Sequence, residues 1–105
     1  MTPYIVVTTT TDSRDHARAI IDALLAKKLA ACIQVIPIDS TYIWEGAVTE
    51  AAELQLLIKA RTVDYQAIEA TIKATHTYNV PQITALPIIQ GSAAYLSWIN
   101  SVTAK

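Results

Sequence analysis

Only a few side chains in this sequence could do chemistry, and His76 is the foremost. It follows Ile72 by four residues and so continues the apolar stripe of a helix. An imidazole there either ends the helix, favoured by the negative end of its dipole, or serves as a ligand. The other histidine, His16, falls early in a first helix. Cys32 stands beside Ala30 and Ala31 at the start of an apolar strand, where a buried, inert thiol is the plain reading. His16, Cys32 and His76 have no metal-ligand spacing of the CxxC or HExxH kind. A metal site would therefore need ligands from different strands or from different subunits.

Two short segments concentrate the remaining polar and aromatic groups. Tyr42-Ile43-Trp44-Glu45-Gly46 ends an unusually long apolar run, and Glu45-Gly46 reads as a turn. His76-Thr77-Tyr78-Asn79-Val80-Pro81-Gln82-Ile83 joins a helical stretch to another apolar run. Tyr42 and Trp44 serve as packing anchors or as stacking platforms. Glu53, Gln55 and Lys59 share one face of a strand, where charges meet solvent or pair across an interface. No nucleophilic triad stands out: serines 13, 40, 92, 97 and 101 fall in caps, loops or the last helix. There is no GxSxG, P-loop or GxGxxG pattern, and two glycines are too few to build a phosphate cradle. These observations argue against an ordinary nucleotide enzyme, and a non-enzymatic role is expected.

The elements that must position these residues follow from periodicity. Tyr4–Thr10 reads as a buried strand. Thr11, Asp12 and Ser13 are N-cap candidates for a helix carrying Ala17, Ile20, Ile21, Leu24 and Leu25 inward, with Lys27-Lys28 at its C-terminus. Ala31–Trp44 is a long strand containing Pro37, which marks an edge or a bulge. A partner strand runs from about Val48 or Ala51 to Ala60, with Leu54, Leu56, Ile58 and Ala60 on one face. Thr62 or Asp64 can cap a second helix with the stripe Tyr65, Ile68 and Ile72. Gln82–Ile89 is a fourth strand. Gly91-Ser92 starts a last helix with Tyr95, Leu96, Trp98, Ile99 and Val102 inward.

The fold class is α+β: a single ferredoxin-like β-α-β-β-α-β domain over residues 1–105, with a long central β-hairpin and an extra C-terminal helix. Hairpin strands of about 13 residues span ~45 Å. A helix of about 16 residues covers only ~24 Å. The far half of the hairpin, Pro37 to Ala51, must project, and a neighbouring subunit is the simplest cover for its aromatics.

Composition points the same way. Apolar residues make up 52% of the 105-residue chain and charged residues 16%, against a usual charged share of ~25%. So few charges suit a surface that is partly an interface. A net charge of −1 with no basic block beyond Lys27-Lys28 favours neither nucleic acid nor an anionic membrane. No apolar run reaches membrane-spanning length, the start lacks a secretory pattern, and one cysteine fits a reducing compartment, so the cytoplasm is the expected location.

Six segments carry a resemblance to a known family. They are Leu29-Ala30-Ala31-Cys32, Tyr42–Gly46, Leu57-Ile58-Lys59, His76-Thr77-Tyr78 with Val80-Pro81, Ala85-Leu86-Pro87, and Tyr95-Leu96-Ser97-Trp98. In this order and spacing, from Ile5 to Trp98, the chain resembles the CutA divalent-cation-tolerance family. The resemblance implies a tight homotrimer of ferredoxin-like subunits, architecturally similar to PII signalling proteins, linked to tolerance of divalent cations, with Cu2+ binding proposed for some members. By position it implies a recurrent cluster of Tyr42, Trp44, Glu45, Lys59, His76, Tyr78 and Tyr95 near clefts between subunits. The chain departs from the family pattern where Thr77, Asn79 and Gln82 replace a proline and two acids. It departs again at Thr8 and Thr75-His76, where a first-strand cysteine and paired histidines can occur.

Two readings follow. One is a trimeric divalent-cation-tolerance protein that requires no cofactor and binds copper or another divalent ion weakly, through His76 or exposed His16, with Cys32 the remote alternative. The other is a PII-like regulatory trimer taking a small anionic ligand in its clefts, with Lys59 and His76 as donors. High thermal stability is expected from assembly, because subunits that bind only folded partners stabilise the fold.

Overall fold

The computed structural model describes residues 2–105. Four strands form one antiparallel sheet in the order β2-β3-β1-β4. β1 is Tyr4–Thr11, β2 Cys32–Trp44, β3 Ala47–Arg61 and β4 Ile83–Pro87. The helices are α1 (Arg14–Ala26), α2 (Tyr65–Thr75) and α3 (Ala93–Thr103). This is the split βαβ arrangement read from the periodicity, with the added C-terminal helix.

Local chemistry sets the boundaries. Ser13 caps α1, its Oγ accepting the His16 backbone N–H at 3.2 Å. Lys28 ends the helix at φ 54, with Leu29 N–H donating to the Leu24 carbonyl and Lys28 N–H to the Leu25 carbonyl. That paired pattern is a Schellman motif carrying lysine where glycine is usual. Neither Thr62 nor Asp64 caps α2 through its side chain, contrary to the expectation. A short 3-10 turn over Thr62–Asp64 leads into the helix, and the Asp64 carboxylate is engaged elsewhere. It accepts from Arg61 Nε at 3.2 Å and from Lys105 Nζ at 3.2 Å.

The core lies on one face of the sheet. Ile5, Val7, Leu56, Ile58 and Ala60 point from the strands toward Ala17, Ile20, Leu24, Ile68 and Ile72 of α1 and α2. α3 takes the opposite face: Ile99 is fully buried yet outside that cluster. The Arg61 guanidinium ties α3 down by donating to the Thr103 carbonyl at 3.0 Å. The expected inward stripe of α3 is thereby corrected. Ile99 is buried and Leu96 half-buried, but Tyr95, Trp98 and Val102 remain exposed, because among the described residues α3 packs chiefly against β3 and its other side is left open.

The hairpin is longer than its roof. β2 and β3 pair without interruption from Cys32–Lys59 to Trp44–Ala47, but β1 meets β3 only from Leu54 to Arg61. Every rung beyond Pro37–Leu54 therefore projects as a two-stranded arm. Pro37 sits in the edge strand, where its missing N–H breaks no ladder bond inside the sheet. The principal extents are 44 × 26 × 21 Å, and the radius of gyration is 14.3 Å. A compact chain of this length would have about 13 Å. At the tip, Glu45 (φ 50) and Gly46 (φ 79) form the two-residue turn, both with the positive φ of a type I′ hairpin.

Candidate functional site

The face that a strand residue occupies follows from its pairing. Tyr42 and Trp44 sit opposite Thr49 and Ala47, on the sheet face that carries Glu53 and Thr10 rather than the face of the core. The arm rises beside the loop after α2, and a groove of about 540 Å³ opens between them. Tyr42 and Trp44 form one wall. Tyr78 and Val80 face them, and Thr10 and Glu53 line the groove from the sheet. Ser40, Thr41, Asn79 and Gln82 supply neutral polar groups.

A chain of hydrogen bonds holds the loop wall in place. Tyr78 Oη donates to Glu53 Oε2 at 2.8 Å. Its backbone N–H donates to His76 Nδ1 at 3.0 Å, and His76 Nε2 lies 2.7 Å from the Thr10 carbonyl. Since Nδ1 accepts, Nε2 carries the proton and donates: the ring is neutral, with both nitrogens occupied. The Thr10 carbonyl is available because β4 begins at Ile83, opposite Thr9, and leaves that edge of β1 unpaired. His76 is thus not a further turn of the α2 stripe. It is the C-cap, in extended conformation at φ −72 and ψ 147, with its ring 4.7 Å from that of Tyr78.

Burial raises the Tyr78 hydroxyl well above the usual tyrosine range, and its bond to the Glu53 carboxylate adds to the effect. The sign follows. A raised folded value stabilises the protein below the ordinary tyrosine pKa of about 10, and that contribution is lost as pH rises through the folded value. In an alkaline absorbance titration of the five tyrosines, Tyr78 should ionise last, together with loss of structure. Tyr78→Phe should remove that final step. A Tyr78 that titrates reversibly with the exposed tyrosines would contradict the assigned bond.

The other candidate residues lie elsewhere. Lys59 Nζ donates to Gln34 Oε1 at 2.9 Å and stands 6.0 Å from the centre of the Tyr95 ring. Thr10 pairs with Gln55, so Lys59 is four residues, roughly 13 Å, along β3 from the His76 contact. Tyr42, Trp44, Tyr78 and His76 therefore form one group, Lys59 and Tyr95 a second, and Glu45 belongs to the turn. Cys32 pairs with Lys59 and is half-buried on the face away from the core, not sealed inside as expected. His16 Nδ1 is hydrogen-bonded to Asp12, whose carboxyl this contact holds below its usual range. Among the described residues, no three His, Cys, Asp or Glu side chains come together as a metal site. Thr10 joins the groove without having been singled out, and Glu53, expected to meet solvent or to pair across an interface, joins it through its bond to Tyr78. The signal for Glu53 was its strand parity, which places it on the side of Tyr42 and Trp44.

A four-stranded ferredoxin-like sheet with a long hairpin arm and an added C-terminal helix is the architecture that this chain shares with solved divalent-cation tolerance proteins. A profile of the CutA1 divalent ion tolerance protein family matches residues 5–102, and the chain belongs to this family. The divalent-cation tolerance protein CutA of Thermus thermophilus is 42% identical over 99 residues, which cover 93% of this chain and 96% of that one. The chloroplastic protein CutA 1 of Oryza sativa is 39% identical; the match covers 96% of this chain but 58% of the rice protein. The solved structure of the periplasmic divalent cation tolerance protein CutA from Archaeoglobus fulgidus superposes with a TM-score of 0.93. It is 35% identical, with 95% of this chain and 98% of the other covered. The compartments in these names differ. Among the described residues, no helix is long and apolar enough to cross a membrane.

Proposed function

We propose that this chain acts in divalent-cation tolerance as a non-enzymatic homotrimer whose effect on metal ions is indirect. The observation that carries the assembly is the uncovered apolar surface of the isolated chain. Ile43 and Val48, paired across the arm, are each 76% exposed, and Leu86, Trp98 and Val102 remain open on the strand and helix surfaces. A monomer of this size rarely leaves so much apolar area in water. Three subunits are the number implied by the family resemblance, and a reducing compartment such as the cytoplasm is our reading of the lone cysteine. Light scattering at micromolar concentration should give about three times the 11.4 kDa of one chain. A monomeric mass with native circular dichroism would overturn the proposal.

The side chains of one subunit do not fit a tight metal centre. Both His76 nitrogens are engaged within the chain, and among the described residues Cys32 belongs to no group of three His, Cys, Asp or Glu side chains that could hold a metal ion. Copper heads the divalent affinity order and binds most accessible imidazoles. Titration should therefore show only weak binding, micromolar or poorer as an order of magnitude, reduced by His16→Ala and little changed by His76→Ala. A stoichiometric nanomolar site lost on Cys32→Ser would show instead that metal binding is direct and thiol-based. The anionic-ligand alternative gains no support from this geometry, since Lys59 and His76 lie in different places and His76 has no free donor.

A further inference from the structure

We infer that His76 is a pH-operated latch: a second proton on its ring loosens the loop after α2 while the ring itself stays anchored to the sheet. Among the described residues, two hydrogen bonds tie residues 77–82 to the rest of the chain, and both come from Tyr78. No backbone–backbone bond supports that stretch. One of the two bonds runs from Tyr78 Oη to Glu53, the other from the Tyr78 backbone N–H to His76 Nδ1. The second exists only while Nδ1 keeps a lone pair. An imidazolium carries a proton on both nitrogens and accepts from nothing. A protonated Nδ1 therefore meets the Tyr78 N–H donor against donor, and the attraction is lost. Nε2 donates in both states, so its bond to the Thr10 carbonyl survives. The proton releases the loop and not the histidine.

The groups around the ring tolerate the added charge. Asp12, in the turn between β1 and α1, is near enough for a charged His76 to act on its carboxylate, which His16 of α1 also holds. Glu53 reaches from β3 to the Tyr78 hydroxyl. Tyr78 stands 4.7 Å away, ring to ring, and burial keeps its hydroxyl protonated throughout the histidine range. His76 is also the C-cap of α2, where the negative end of the helix dipole favours a cation. The sign follows from the lone pair: the Tyr78 bond is present on the alkaline side of the histidine titration and lost on the acid side. Every bond of the latch lies within one chain. A charge brought by a neighbouring subunit moves the pH of the step and not its chemistry, because no neighbour restores a lone pair to an imidazolium. The inference rests on neither the subunit count nor metal binding.

The test uses the assembled protein, titrated from about pH 8 to about pH 5. Nitrogen NMR should show His76 as the Nε2–H tautomer on the alkaline side and as the imidazolium on the acid side. Across that step the Tyr78 amide should lose about tenfold of its protection against hydrogen exchange, each rate being divided by the intrinsic rate at its pH. Amides of β3 around the fully buried Ile58 should keep theirs. Two variants separate the acceptor from the ring. His76→Asn puts a carbonyl oxygen where Nδ1 stood, so the Tyr78 amide should stay protected at both ends of the range. His76→Gln keeps a donor for Thr10 but no acceptor at the Nδ1 position, so that amide should be unprotected at both ends. His16→Gln should leave the step in place. A Tyr78 amide equally protected on both sides of the His76 titration would overturn the inference. So would an Nδ1–H tautomer, a ring still neutral at about pH 5, or a step that follows His16. If a His76 variant fails to fold by circular dichroism, the tautomer and exchange data on the unaltered protein decide alone. Light scattering on the same samples follows assembly: a mass that falls in step with the amide would make the response a dissociation and overturn the latch.

Discussion

Leu56→Ala should lower the midpoint of thermal unfolding by on the order of 10–20 °C. Leu56 is fully buried at the middle of β3, paired with Thr9 on one side and Val35 on the other. Removing its isobutyl group forfeits transfer free energy and leaves a cavity between sheet and helices that rigid strands cannot close. The usual cost is about 2–5 kcal/mol, and a domain of this size loses roughly 4–8 °C for each kcal/mol. The control is Val63→Ala, at a site 80% exposed, where a change within about 0.5 kcal/mol is expected. Calorimetry of both variants decides the matter. Equal shifts would mean that the buried cluster does not dominate the stability of the chain.

The second large effect concerns the arm. Ile43→Asp combined with Val48→Asp should convert the assembly to monomers without unfolding the sheet. Both positions lie on projecting rungs past Pro37, beyond the reach of α1 and α2, so the monomer fold does not need their side chains. An interface does, because it would have to bury two carboxylates opposite one another without partners. Light scattering should fall from about three chain masses to one, while the far-ultraviolet spectrum is retained. The wild-type melting temperature should be high for so short a chain and should rise with protein concentration; the variant's should be lower and concentration-independent. An unchanged mass in the double variant would move the contact surface off the arm.

The elements were legible in the sequence because their signals are local. Alternation in Leu54, Leu56, Ile58 and Ala60 identified the buried face of β3, and helical spacing identified Ala17, Ile20, Ile21 and Leu24. The hairpin's excess length over the helices followed from rise per residue alone. Pro37 marked an edge strand, and Glu45-Gly46 marked the turn. The errors were also informative. The α3 stripe was read as wholly inward because a helix pattern shows which side is apolar but not whether this chain supplies the cover. Asp64 was read as a cap because its pairing with Arg61 and Lys105 involves a residue far along the chain.

The sequence by itself determined the strand and helix order, the long hairpin, the core face and the family. Each depends on short-range periodicity or on ordered motifs along the chain. Only the tertiary structure decided what His76 does and which candidates share a site. Its imidazole is fully engaged because β4 starts too late to pair with Thr10. Tyr42, Glu53 and Tyr78 meet because the register of β2 on β3 brings the arm beside the loop after α2, while the same register holds Lys59 and Tyr95 apart from them. Register joins residues distant in sequence through backbone bonds that no local pattern records, and so which candidates lie together could be read only after the fold was known.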